Sequence, residues 1–201
     1  MPQPRFPDGL RVWHKKGVTH RKPRPPLTGQ TLQDLALAYV GRFATTRVKL
    51  SRYLDRKLRE RGWEEDSAPP VEQIVERCVS NGFVDDAAFA LSKARSLTGR
   101  GYGAQRVRQS LRAAGVNDGD ARPARQLADE EAVEAALRMA RRKRIGPYAA
   151  AAPERDGRDK ALAAMIRAGH GFRLAKAIVA LSPGDEPDIA YLSEIAERSA
   201  D

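Results

Sequence analysis

The residues best placed to do chemistry in this chain are cations, and the chemistry they suit is the binding of phosphates. Lys49, Arg52, Arg56, Lys57 and Arg59 form one group. Arg100, Arg106, Arg108 and Arg112 form a second, with Tyr102 beside the first of them. Arg141, Arg142, Lys143 and Arg144 form a third, in an unbroken run. One such group would be an ordinary solvated helix face, whose cations favour the negative C-terminal end of a helix dipole. Three groups at equivalent places in a repeat point instead to a long positive surface.

Other reactive residues do not assemble into a catalytic or metal-binding pattern. His14, His20 and His170 show no His-x-x-x-His spacing and no pairing with Cys78. A zinc site therefore has no support in the pattern. Asp85 and Asp86 are adjacent, so their carboxylates point apart, and helix capping explains them. The run Gly99-Arg100-Gly101-Tyr102-Gly103 lacks the Lys-Ser/Thr ending of a phosphate-cradling loop and follows no strand. It reads as a tight turn between helices, with glycines permitting positive φ and with Arg100 and Tyr102 on its rim. No Ser-His-Asp, Cys-His or paired-Glu arrangement stands out. The reading is a binding protein, not an enzyme, with no cofactor and no metal.

Composition sets the frame for those cations. The chain has 201 residues, with 36 Lys+Arg against 26 Asp+Glu and a net charge of +10. Such an excess speaks to partners, and phosphate backbones are the commonest of them. A chain this size buries roughly 70% of its unfolded surface. Its hydrophobic content is 41% and its aromatic content only 6%, so the core is built from Leu, Ala and Val and suits helices. Cys78 is the single cysteine, which rules out an internal disulfide. Its place on an apolar stripe makes it a buried, inert thiol. No apolar run is long enough to span a membrane, and the N-terminus is broken up by Pro4, Arg5, Pro7 and Asp8. A monomeric cytoplasmic protein is the simplest expectation.

Residues 1–29 read as a disordered, basic, Pro-rich arm. Arg5, Arg11, Lys15, Lys16, Arg21, Lys22 and Arg24 face only Asp8 there. The arm is either a solvated tail or an electrostatic tether to nucleic acid. Helical spacing begins at Thr31 with Leu32, Leu35, Ala36 and Tyr39. Thr45 or Thr46 caps a second helix striped by Leu50, Leu54 and Leu58, which Gly62 ends. Val71, Ile74, Val75, Cys78 and Val79 mark a third. Asp85 or Asp86 caps a fourth through Phe89, Ala90, Ala94 and Leu97. Ala104, Val107, Leu111 and Ala114 give the apolar side of the next, ended by Gly115. A weakly patterned helix follows from about Gly119 to Leu127, and a clear one opens at Glu130 and runs through Val133, Ala136, Leu137 and Ala140. Residues 148–157 read as an Ala-rich loop insertion. Further helices fall at Leu162, Met165 and Ile166, and at Phe172, Ala175, Ile178 and Val179. The acidic tail beyond holds room for a short helix through Ile189, Leu192 and Ile195.

These helices repeat. A basic amphipathic helix ending Leu-x-x-x-Gly occurs at Leu58–Gly62 and again at Leu111–Gly115, 53 residues on. A degenerate copy, Met165–Gly169, lies 54 further. A period near 50 marks stacked helical units, none of which buries its apolar face alone. The expected fold is all-α: an elongated, curved array of three tandem three-helix repeats. The units expected are 30–83, 84–128 and 129–182, followed by an acidic tail at 183–201.

Two stretches then resemble a known family. Gly82-Phe83-Val84-Asp85-Asp86-Ala87-Ala88-Phe89-Ala90 and Gly101-Tyr102-Gly103-Ala104-Gln105-Arg106-Val107-Arg108-Gln109-Ser110-Leu111-Arg112-Ala113-Ala114-Gly115-Val116 resemble the RecX family. Its members carry Asp-Asp-x-x-Phe-Ala, then Gly-x-Gly, then a basic helix ending Leu-x-x-x-Gly. Ala36, Leu37, Tyr39, Leu50, Leu58 and Gly62-Trp63 extend the likeness more loosely into the first unit, and it covers roughly residues 30 to 182. The resemblance implies a regulator of the RecA recombinase that lies in the groove of the RecA–DNA filament and restrains its ATPase and strand exchange. It implies no cofactor and no catalytic residue. Two places depart from the family. Its Ser-x-x-Glu-Leu start reads Thr46-Arg47-Val48-Lys49-Leu50 here, and the 148–157 segment interrupts the third unit. A helical DNA- or RNA-binding protein that acts independently of RecA is the alternative reading of the same cations.

Overall fold

Thr28 starts the first helix by accepting from the backbone N–H of Thr31, while the Thr31 hydroxyl accepts from the N–H of Thr28. This reciprocal pair satisfies donors that an uncapped helix start leaves orphaned. The chain, in a computed structural model that describes residues 25–198, then forms ten α-helices. They are α1 Gly29–Val40, α2 Arg47–Arg61, α3 Val71–Ser80, α4 Asp86–Gly99, α5 Ala104–Ala114, α6 Asp118–Glu130, α7 Ala132–Lys143, α8 Arg155–Arg167, α9 Phe172–Ala180 and α10 Ile189–Glu197. The expected all-α repeat fold is what is found, except that the third core takes in a fourth helix, α10. Most of the basic arm lies outside the described residues. Leu27, which falls in the segment read as that arm, is buried instead: its N–H donates to Gly62 O and its carbonyl accepts from Glu64 N–H.

Each unit has its own core. Leu32, Leu50, Leu54, Ile74 and Val75 anchor the first, formed by α1–α3. Ala90, Ala94, Val107, Leu111, Ala121 and Ala124 form the second, between α4, α5 and α6. Val133, Ala136, Met165, Leu174 and Ile178 form the third. Cys78 is buried in the first core, as expected, and burial pushes its thiol pKa up, with the charge of Arg77 opposing. The Ala-rich stretch is a loop only in part. Gly146–Tyr148 is a single 3₁₀ turn, and α8 already begins at Arg155. The acidic tail carries α10, whose Leu192 is buried in the third core against α7 and α9. Ile166 and Phe172, read as apolar stripe positions, are exposed instead.

The units join end to end through the glycines of the repeated Leu-x-x-x-Gly. The start of α2 meets the end of α5, where the Thr46 hydroxyl donates to Ala114 O at 2.6 Å. The start of α5 meets the end of α8 in the same way: Gly103 N–H donates to Ala168 O at 3.0 Å and Gln105 N–H to Gly169 O at 3.1 Å. Helix ends leave carbonyls unpaired and helix starts leave N–H groups unpaired, so each joint satisfies both and sets opposite dipole ends together. No side chain fits between them. A Cβ at Gly115 would overlap Val48, and one at Gly169 would overlap the main chain of Arg106. Gly62, which ends the corresponding helix of the first unit, meets nothing at that distance.

The adjacent aspartates divide their work. Asp85 caps its own helix by accepting from Ala88 N–H at 2.8 Å. Asp86 is buried and reaches back across the joint to accept from Arg47 N–H at 2.9 Å, at the start of α2. Asp86→Ala is therefore expected to cost about 1–3 kcal/mol by orphaning that donor. Asp85→Ala should cost about 1 kcal/mol, an ordinary cap loss. Urea denaturation of both variants measures the order, and equal losses would deny Asp86 its role at the joint.

His170 closes the other joint. It is 4% exposed, its Nε2–H donates to Gly101 O at 3.2 Å, and its Nδ1 has no partner among the described residues. Because a carbonyl only accepts, Nε2 carries the proton in the neutral ring. Burial pushes the imidazole below its ordinary value, with the Gly101 contact opposing in part. A lowered folded pKa means stability that is full above about pH 6.5 and is lost as pH falls through the folded value. Thermal melts should fall below about pH 6.5 in the wild type. His170→Gln, which keeps a donor, should lack that component. An identical acid response in both would dismiss His170 as the source.

Candidate functional site

The cations do not lie where repeat equivalence alone would put them. The first two groups sit on α2 and α5, the second helices of their units. The third, Arg141 to Arg144, lies at the end of α7, which is the first helix of the third unit. The corresponding second helix, α8, carries none of the named cations. What brings residues of all three groups together is the joints, not a matching register.

One row can be traced across them. Lys49 on α2 places its ammonium 4.5 Å over the Phe89 ring on α4, beside Lys93 one turn further on. Burial, and then the charge of Lys93, lower the Lys49 pKa. Lys93, Leu97, Arg100, Tyr102, Arg106 and Gln109 line a groove of about 490 Å³ between α4 and α5. The Arg100 guanidinium lies 5.4 Å over Tyr102, itself wedged between the second and third cores. Arg142 on α7 donates to the Arg100 carbonyl, which brings the third group to the end of that groove. Arg141 lies over the Tyr148 ring at 4.9 Å.

Among the described residues no carboxylate forms an ion pair with Lys93, Arg100 or Arg106. These three are available to an anion. Arg108 is not: its Nη2 donates to both oxygens of Asp129, at 2.7 and 2.8 Å, tying α5 to α6. Arg112 lies on that same side, close enough to Asp118 to help lower its pKa, behind the larger effect of the Arg125 hydrogen bond. Arg56 and Lys57 both bridge to Glu60 and both lie over Tyr53. Arg52, Arg59, Lys143 and Arg144 are exposed.

Sequence patterning does not single out Lys93 or Phe89 as members of this row. Phe89 has the spacing of an apolar core position, and Lys93 stands alone, outside every cluster of cations. A signal for the pair is nonetheless present: the two are four residues apart, one helical turn, and so neighbour each other on one side of α4.

Known proteins place this arrangement in context. A family model described as the second three-helix domain of RecX matches residues 85–124, from the start of α4 into α6. Regulatory protein RecX of Myxococcus xanthus is 34% identical over 177 residues, which span 84% of this chain and 94% of that protein. Regulatory protein RecX of Yersinia pestis is 37% identical over 54 residues, 27% of this chain and 29% of that protein. A crystal structure of RecX from Lactobacillus salivarius superposes with a TM-score of 0.54 at 19% identity, covering 75% of this chain and 94% of that one. Another crystal structure, of a regulatory protein RecX, gives 0.52 at 22% identity, covering 75% and 72%. At such identities the superpositions speak for the fold, the same helical array.

Proposed function

This chain belongs to the RecX family of regulatory proteins, and from that premise we propose that it regulates the RecA recombinase by lying in the groove of the RecA–DNA filament. It acts there as a cytoplasmic monomer, restrains ATP hydrolysis and strand exchange, and does no chemistry of its own. Among the described residues no helix is long and apolar enough to cross a membrane, and no group of three or more metal-ligating side chains gathers. The observation that carries the reading is the row of cations from Lys49 through Lys93, Arg100 and Arg106 to Arg142, continuous over both joints. A surface stretched along three units suits a long polyanionic assembly better than a compact ligand.

Co-sedimentation tests the partner. The protein should pellet with RecA–single-strand filaments at concentrations where bare DNA at the same salt retains little of it. Equal retention on bare DNA would favour a nucleic-acid-binding protein independent of RecA. A salt titration tests the phosphate contacts. Affinity for single-stranded DNA should fall with a log–log slope of about −0.7 per phosphate held. A flat response would remove direct DNA binding and leave protein contacts only.

A further inference from the structure

A second groove lies in the third unit and shares no lining residue with the α4–α5 groove. It runs between α9 and α10, has a volume of about 540 Å³, and is lined by Phe172, Arg173, Lys176, Tyr191, Ile195 and Arg198, among others. Phe172 and Tyr191 are each 57% exposed, although α9 and α10 turn Leu174, Ile178 and Leu192 into the core. Together with Ile195 between them in the groove lining, the two rings make a contiguous apolar patch, the kind of surface that marks an interaction site. The groove is also cationic. Arg198 pairs with Glu194 at 2.7 Å, while Arg173 and Lys176 form no ion pair among the described residues. Its occupant must therefore be anionic and carry flat apolar faces.

We infer that the α9–α10 groove is a binding site for single-stranded nucleic acid, with Phe172 and Tyr191 stacking on bases and Arg173 and Lys176 holding phosphates. Stacking tolerates any base because every base has a π-face, and the cations track the backbone. A duplex hides those faces, so the site discriminates against it. The site stands apart from the RecA reading, since none of its residues belongs to the row on α2, α4, α5 and α7.

The test uses the full chain without RecA, titrated onto fluorescent oligothymidylate and onto a duplex of equal length. The double variant Phe172→Ala/Tyr191→Ala should weaken single-strand binding by about thirtyfold, the lower end of what two stacked bases contribute, and leave duplex binding unchanged. Arg173→Ala/Lys176→Ala should flatten the single-strand salt slope by about 0.7 for each phosphate no longer held. In the unaltered chain, an oligonucleotide carrying photoreactive iodouracil should crosslink to Phe172 or Tyr191, a readout that does not depend on any variant folding. Single-strand affinity at the wild-type level in the aromatic variant overturns the inference. So does an equal loss on the duplex, or crosslinks that map only elsewhere. A variant that keeps its single-strand affinity yet loses its effect on RecA also overturns it and makes the groove a protein-docking surface.

Discussion

Gly169→Ala is expected to cost about 2–5 kcal/mol and to part the second unit from the third. Two effects add. Gly169 has φ +93°, where a side chain costs roughly 1–2 kcal/mol. Its new Cβ would also overlap the backbone N of Arg106, and overpacking of that kind costs about 1–3 kcal/mol. The obstacle is main chain, so no rotamer change relieves it. Gly103→Ala probes the same joint from the other side. Gly103 has φ −81°, so only the overlap with the Gly169 carbonyl and His170 N counts there. Gly62→Ala is the control. It has φ +79° but open space, so it should pay the conformational part alone. Urea denaturation of the three variants gives the order. In an array of units, a broken joint should also split one transition into two. If Gly169→Ala loses no more than Gly62→Ala, the close approach is not what ties the units together.

That joint explains how much of the fold is legible in the chain. The Leu-x-x-x-Gly motif is visible as a helix ending, and its spacing reveals the repeat. That Gly115 and Gly169 are also points where one unit touches the next is not visible, because the atoms they meet lie far away in sequence. The apolar stripes of α2, α3 and α5 announce themselves through Leu50, Leu54, Ile74, Val107 and Leu111. The buried side of α6 does not, since it consists of Ala121, Ala124 and Ala128, which carry little hydrophobic signal yet let α6 lie close on α4. The place of α10 is hidden for a related reason: an acidic composition masks Leu192, its buried residue, and Ile195 and Ala196, which pack beside it on the third core. For the cations, sequence names three groups but passes over Lys93 and does not give their pairing. Arg106 and Arg108 look alike in the chain. A turn of about 200° between them on the helix sends one into an open groove and the other onto Asp129.

That difference sets up the most direct functional test. Neutralising Lys93, Arg100 and Arg106 together should abolish the effect of the protein on RecA-driven ATP hydrolysis. All three line the α4–α5 groove, and none is spent on a neighbouring carboxylate. Substitutions at such surface positions shift stability by about 0.5 kcal/mol or less each, so the helices should survive. The hydrogen bond from Arg142 at the groove's end should survive too, because it is made to the Arg100 carbonyl and not to its side chain. If all three touch phosphates, the log–log salt slope of single-strand binding should fall by about 2. Arg108→Ala/Arg112→Ala removes cations from the same helix on its other side. It breaks the ion pair with Asp129, which is partly exposed, so it should lower stability by about 1 kcal/mol or less while leaving potency per folded molecule intact. ATP hydrolysis is to be followed with DNA saturating and protein titrated, beside circular dichroism of each variant. A folded triple variant with wild-type potency would clear the groove of any working role. A marked loss of potency in Arg108→Ala/Arg112→Ala alone would move the working surface to the α5–α6 side.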